Sequence, residues 1–204
     1  MAAETEIVLL AAMGQLPLGH GSSANELGEK YFAMAIQREV FGFKRLTMDN
    51  WLAVDPAWAG VVMSSSLPDP SEAWVFDLVQ SELEPTVPLN VRRLFEIARG
   101  TLVYSLMFYP LLTLGTEQMF RVFETALSEK CANLSAPAKI KTFANKIEWL
   151  TQSGAIDAHD QTRWTAIRHL RNEASHPKDQ SIFPPSEALH IVDAAIELIN
   201  PLFR

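Results

Sequence analysis

Apolar residues recur with a helical period along most of this chain. Ile140, Phe143, Ile147 and Leu150 fall at i, i+3, i+7 and i+10, and Gly154 then ends the run. Trp164, Ile167, Leu170 and Ala174 form a second stripe, which Asp160 can cap and Pro177 closes, because the residue before a proline avoids the α region. After Pro184 and Pro185, a third stripe runs through Leu189, Val192, Ile196 and Ile199.

Upstream, Asp69-Pro70-Ser71-Glu72 reads as a helix start: acid at the cap, proline at the first position, glutamate at the third. That helix is expected to reach about Leu83 and stop before Pro85. Pro88 opens the next, carrying Leu94, Phe95 and Ala98, and Pro110 should kink or split it. A long helix over 111–129 follows, with Met119, Phe120, Phe123 and Leu127 on one face. Nearer the start, Gly19, Gly21, Ser22 and Ser23 break the chain before a helix over 25–41, and residues 42–67 show no firm period. Trp51 and Trp58 in that stretch are expected in the core. No stretch alternates with period two for long, and no Asn-Gly hairpin signal occurs. The expectation is an all-α protein: a mostly helical or irregular extension over 1–87, then a helical bundle over 88–204.

Composition narrows this picture. With 204 residues, 48% of them hydrophobic and 20% charged, the chain can bury a substantial core. The one cysteine, Cys131, excludes an internal disulfide and a cysteine-based zinc finger, and its place near a helix end reads as incidental, so a reducing cytoplasmic setting is expected. The apolar segment from Ile7 to Met13 is preceded by Glu4 and Glu6, unlike the basic start of a secretory leader. Residues 100–116, GTLVYSLMFYPLLTLGT, carry no charge but are short for a membrane span and contain Pro110; a buried central helix is expected there and no membrane crossing. The net charge of −7 argues against nucleic acid as a partner, yet it is uneven. Residues 1–110 hold 7 Lys+Arg against 13 Asp+Glu, and residues 111–204 hold 10 against 11. The second half can therefore present a local basic face.

Several chemistries lack their residues. There is no phosphate-binding glycine loop, no His-Glu-x-x-His and no Gly-x-Ser-x-Gly. The five histidines never stand at i, i+4, the spacing of a helical metal site. No metal or other cofactor is expected.

What remains is Arg171-Asn172-Glu173-Ala174-Ser175-His176-Pro177. On a helical wheel Arg171 falls between Trp164 and Ile167, on the apolar side, where an unpaired guanidinium is very costly. Something anionic must meet it. Asn172 and His176 lie one turn apart on a polar flank. A purely structural reading is coherent: His176 beside the last carbonyls of a helix, and Arg171 paired with Glu117 or Glu124.

The same segment resembles the signature of the HEPN superfamily (higher eukaryotes and prokaryotes nucleotide-binding domains), an arginine and a histidine four to six residues apart near the end of the penultimate helix. Arg171 and His176 are separated by four residues, and Asn172 supplies the polar residue often found after the arginine. The likeness covers about 88–204. It implies an HEPN-like helical bundle that forms a homodimer and, in many members, a metal-independent endoribonuclease acting on RNA; other members are silent modules that bind a nucleotide or a protein. On one straight helix Arg171 and His176 are about 140° apart, so a shared target needs a loosened helix end or a two-fold partner. In the catalytic reading, His176 is the acid/base, Arg171 stabilises the phosphate, Asn172 orients the histidine, and Arg168 and Lys178 hold flanking phosphates. A toxin or phage-defence role, with a protein antitoxin or inhibitor as partner, is the biological setting this implies.

Overall fold

The computed structural model describes residues 43–61, 70–175 and 184–204. The chain divides into two compact units, Met1–Arg45 and Leu46–Arg204, and the described residues lie almost entirely in the second. The segment from Ile7, the expected helix over 25–41, the Asp69 cap and Pro177 lie outside the described residues.

Among the described residues there are six α-helices, one short 3-10 helix (Pro56–Gly60) and no strand, so the protein is all-α. The helices are α1 (Pro70–Gln80), α2 (Leu89–Tyr104), α3 (Leu111–Asn133), α4 (Phe143–Gln152), α5 (Ala158–Ser175) and α6 (Pro185–Leu202). α3 is the central one. Leu112, Met119, Phe120, Val122, Phe123, Ala126 and Leu127 bury it along nearly its whole length, and α2, α4, α5 and α6 all pack on it.

α2 and α3 form an antiparallel hairpin. At one end Asn90 Nδ2 donates to Glu129 Oε1 at 2.6 Å; at the other Gly115 lies against Leu102. A methyl group at 115 would stand 2.7 Å from Leu102 side-chain carbons and 3.1 Å from its backbone nitrogen. The missing side chain is what lets the two backbones approach.

The uncharged run over 100–116 is therefore not one buried helix. α2 stops at Tyr104, the chain turns, and α3 starts after Pro110, which has no N–H to extend the helix backward. Tyr104 is 67% exposed and Leu114 53% exposed, so even the helical parts of the run are not fully covered. Two indoles hold the turn. Trp74 Nε1 donates to the Leu102 carbonyl, which also accepts from the Ser105 N–H and hydroxyl, and Trp58 Nε1 donates to the Ser105 carbonyl, each indole at 2.9 Å. The indoles pack at 4.9 Å between centroids, and Tyr109 meets Trp58 edge-on at 5.5 Å. The buried Asp55 carboxylate accepts from the Tyr109 N–H at 2.9 Å and the Ala57 N–H at 3.0 Å. Trp58 thus belongs to the core as expected, but Trp51 is 53% exposed, because the turn over 47–53 presents it to solvent. The core continues across residue 87, joining Trp58, Trp74 and Leu78 to the later helices.

The remaining helix ends follow local chemistry. Thr142 caps α4 through its side-chain oxygen, leaving Ile140 in the preceding turn but still against the core. Gly154 adopts φ 74°, the left-handed conformation that ends a helix at little steric cost. Asp157, not Asp160, caps α5: its carboxylate accepts from the Asp160 N–H at 2.8 Å, while Asp160 sits in the first turn and meets Arg163. Arg163 also pairs with Glu197, tying α5 to α6. Asn200 Oδ1 accepts from the Glu84 N–H at 2.8 Å, and Arg204 pairs with the Glu84 carboxylate, holding that carboxyl below its ordinary pKa. No helix of the described residues is long and apolar enough to cross a membrane.

The two glycines of the hairpin should respond in opposite directions. Gly115→Ala forces Leu102 and its backbone aside and should destabilise the fold by about 1–3 kcal/mol. Gly100→Ala, whose methyl group meets nothing within 4 Å, should stabilise α2 by about 0.5–1 kcal/mol. Thermal melts of the two variants check both signs.

Candidate functional site

α5 presents Trp164 and Ile167 to the core, with Leu170 and Ala174 partly buried on the same side. Trp164 meets Phe123 of α3 edge-on at 5.5 Å, and this contact sets the spacing of the two helices. Glu124, the next residue of α3, is thereby brought to the edge of the α3–α5 seam. Arg171 lies two turns beyond Trp164, and a long helical side chain leans back toward the N-terminal end of its helix. Its Nη2 comes to 3.6 Å from Glu124 Oε2, and its Nη1 to 3.4 Å from Asn172 Oδ1.

One expectation is corrected here. Arg171 is not buried on the apolar side: its side chain is 41% exposed, because the lean and length of the chain carry the guanidinium out to the rim. The oxygen of Asn172 accepts from Arg171, and His176, which Asn172 was expected to orient, lies outside the described residues. The anion that meets Arg171 is Glu124, one of the two carboxylates the pattern allowed. At 36% exposure Glu124 is also half in water, so the pair is neither sealed nor tight.

Arg168 lies on the preceding turn of α5. Its Nε is buried and has no hydrogen-bond partner among the described residues, while its Nη2 approaches His169 Nε2 at 3.1 Å. On α3, Arg121 lies one turn before Glu124 and is exposed. Arg168 and Arg171 thus stand one turn apart on α5 and Arg121 on α3, and of the three Arg171 is paired with Glu124. His176 and Lys178 lie outside the described residues. The structure thus brings together Arg171, Asn172 and Glu124, with Arg168 beside them.

Two other reactive groups stand apart. Cys131 is buried, and burial pushes its thiol pKa up against a smaller opposing pull from Lys146, the reverse of what a nucleophilic thiol needs. Asp157, His159 and Asp160 bring three potential cation ligands within 4.8 Å of one another at the opposite end of α5, a cluster the sequence reading overlooked. Its signal was local, Asp-x-His-Asp around a helix start. The Asp157 carboxylate there already serves as the cap. Along α6, Glu187, Asp193 and Glu197 are exposed, and the Asp193 carboxyl is raised by partial burial and then by Glu197. That edge of α6 is acidic.

Residues 118–203 match a protein family described as a domain of unknown function, DUF4145. The matched stretch is less than half of the chain, but it runs from α3 to α6 and holds every residue of the site. No curated protein and no solved structure matches the chain.

A half-exposed ion pair at this distance contributes at most about 1 kcal/mol to folding. Arg171→Ala should therefore shift the melting temperature by no more than about 4 °C. A far larger loss would mark Arg171 as a structural keystone and not a site residue.

Proposed function

We propose that the protein is a metal-independent endoribonuclease of HEPN type, with Arg171 and His176 acting on one RNA phosphate in a composite homodimer site. The observation that supports this is the state of Arg171. Its guanidinium is 41% exposed and its contact with the Glu124 carboxylate is long, at 3.6 Å, so an incoming phosphate can reach it through paired N–H donors. A fully buried pair would give a phosphate no such opening.

The chemistry follows from the side chains. Histidine titrates near neutrality, so the His176 imidazole can take the proton from a ribose 2′-hydroxyl. The 2′-oxygen then attacks the adjacent phosphorus, and the bond to the 5′-oxygen breaks. That oxygen receives its proton from the second His176 across the dimer. Negative charge grows on the non-bridging oxygens, where Arg171 stabilises it. Arg168 and Lys178 hold flanking phosphates, and Asn172 keeps the Arg171 fork in place. The products are a 2′,3′-cyclic phosphate and a 5′-hydroxyl. A cytoplasmic toxin or phage-defence nuclease, restrained by a protein inhibitor, is the setting this activity fits.

A second reading has its own support. Because a carboxylate of the same chain already meets Arg171, the domain can equally be a catalytically silent nucleotide- or protein-binding module. Cleavage separates the two. Purified protein incubated with RNA in EDTA should cut it, and Arg171→Ala and His176→Ala should each slow cutting by about 100-fold or more. Intact RNA with the unaltered protein would favour the silent module, and cutting unchanged in both variants would overturn the roles given to these residues.

A further inference from the structure

We infer that Glu124 is a positioning residue that holds the Arg171 guanidinium at the α3–α5 rim and competes with an RNA phosphate for it, so that its charge limits how tightly the site takes the strand. This rests on the reading of Arg171 as a phosphate ligand, and it is a statement about binding alone.

The geometry carries it. Among its contacts with described residues, the guanidinium meets Asn172 Oδ1 of its own helix at 3.4 Å and Glu124 Oε2 of α3 at 3.6 Å. Both of these contacts are long. Together they restrict where the fork can go. Arginine carries considerable side-chain entropy, and a tether on each side reduces what must be frozen when a phosphate arrives. The phosphate offers short, charge-assisted, paired hydrogen bonds where Glu124 offers a long contact, so it can displace that carboxylate.

Displacement leaves a cost. The Glu124 carboxylate stays beside the bound phosphate, and two like charges about 5 Å apart repel even near water. Arg168 on the adjoining turn, with its buried Nε unpartnered among the described residues, adds positive charge that offsets part of this. Glu124 is therefore both a guide for Arg171 and a brake on anion binding. Replacing it with glutamine keeps an oxygen that can accept from Nη2 and removes the charge. Replacing it with alanine removes the guide as well.

The test uses a fluorescent single-stranded 2′-O-methyl oligoribonucleotide, which keeps the phosphates but lacks the nucleophilic hydroxyl. Affinity is read by anisotropy at low salt on the full chain. Glu124→Gln should bind about 3- to 10-fold tighter than the unaltered protein. In an Arg171→Ala background the same change should gain less than about 2-fold, because the competition has lost its object. Glu124→Ala should gain less than Glu124→Gln. An unchanged or weaker affinity for Glu124→Gln overturns the inference, as does an equal gain without Arg171, which would reduce the effect to net charge. Equal gains from glutamine and alanine overturn the positioning role, and no binding by any variant overturns the whole inference. Because Glu124 is half exposed, melts of all variants should stay within about 4 °C of one another. If binding behaves as expected while ordinary RNA stays intact in EDTA, the nuclease reading falls and the role of Glu124 stands.

Discussion

α3 can occupy the centre of this unit only because residue 115 has no side chain. Leu102 fills the space a methyl group would take, and its own backbone nitrogen stands just behind. That close crossing sets the depth at which α3 lies against α2. The turn between them is then held from outside by two indoles and one buried carboxylate, which bond to backbone groups at the bend. With α3 seated, its other faces are available to α4, α5 and α6. Phe123 meets Trp164 on one of these faces, and the next residue, Glu124, is thereby delivered to the rim where Arg171 arrives. The site depends on a packing contact in the core, one residue away in sequence.

The energetics of the rim differ from those of a buried ion pair. A sealed guanidinium and carboxylate would each have lost water and would strongly resist separation. At the α3–α5 rim both groups keep much of their hydration, so exchanging one anion for another costs little. An ion pair that contributes little to stability is one that can take part in binding. Elsewhere among the described residues, α6 carries an acidic edge and burial raises the Cys131 thiol.

Much of the helical order was legible in the sequence, for identifiable reasons. The stripes through Phe143, Trp164 and Val192 repeat at a period that only a helix can bury on one side, and Pro110 and Gly154 punctuate by removing a donor or permitting positive φ. Other features were not legible. The pattern pointed to Asp160 as the cap of α5, but the helix starts at Ala158, so the aspartate three residues earlier, Asp157, takes that place. A wheel gives the angle of Arg171 about its helix but not the lean and reach of its side chain, so burial was expected where the guanidinium reaches solvent. Choosing Glu124 over Glu117 required the axial offset of α3 against α5, which the Phe123–Trp164 contact sets and no local pattern encodes. The uncharged run over 100–116 misled because hydropathy is blind to a turn whose carbonyls are taken by distant tryptophans.

In the proposed reaction Arg171 and His176 act through the ribose 2′-hydroxyl of an RNA strand. The most direct measurement is the end chemistry of the fragments made in EDTA from an oligoribonucleotide and from copies with a single 2′-deoxy substitution at each cut position. Mass spectrometry should find 2′,3′-cyclic phosphate and 5′-hydroxyl ends, and each deoxy substitution should abolish cutting at its own position alone. Fragments ending in a 3′-hydroxyl, or cutting that persists at the deoxy positions, would contradict the account.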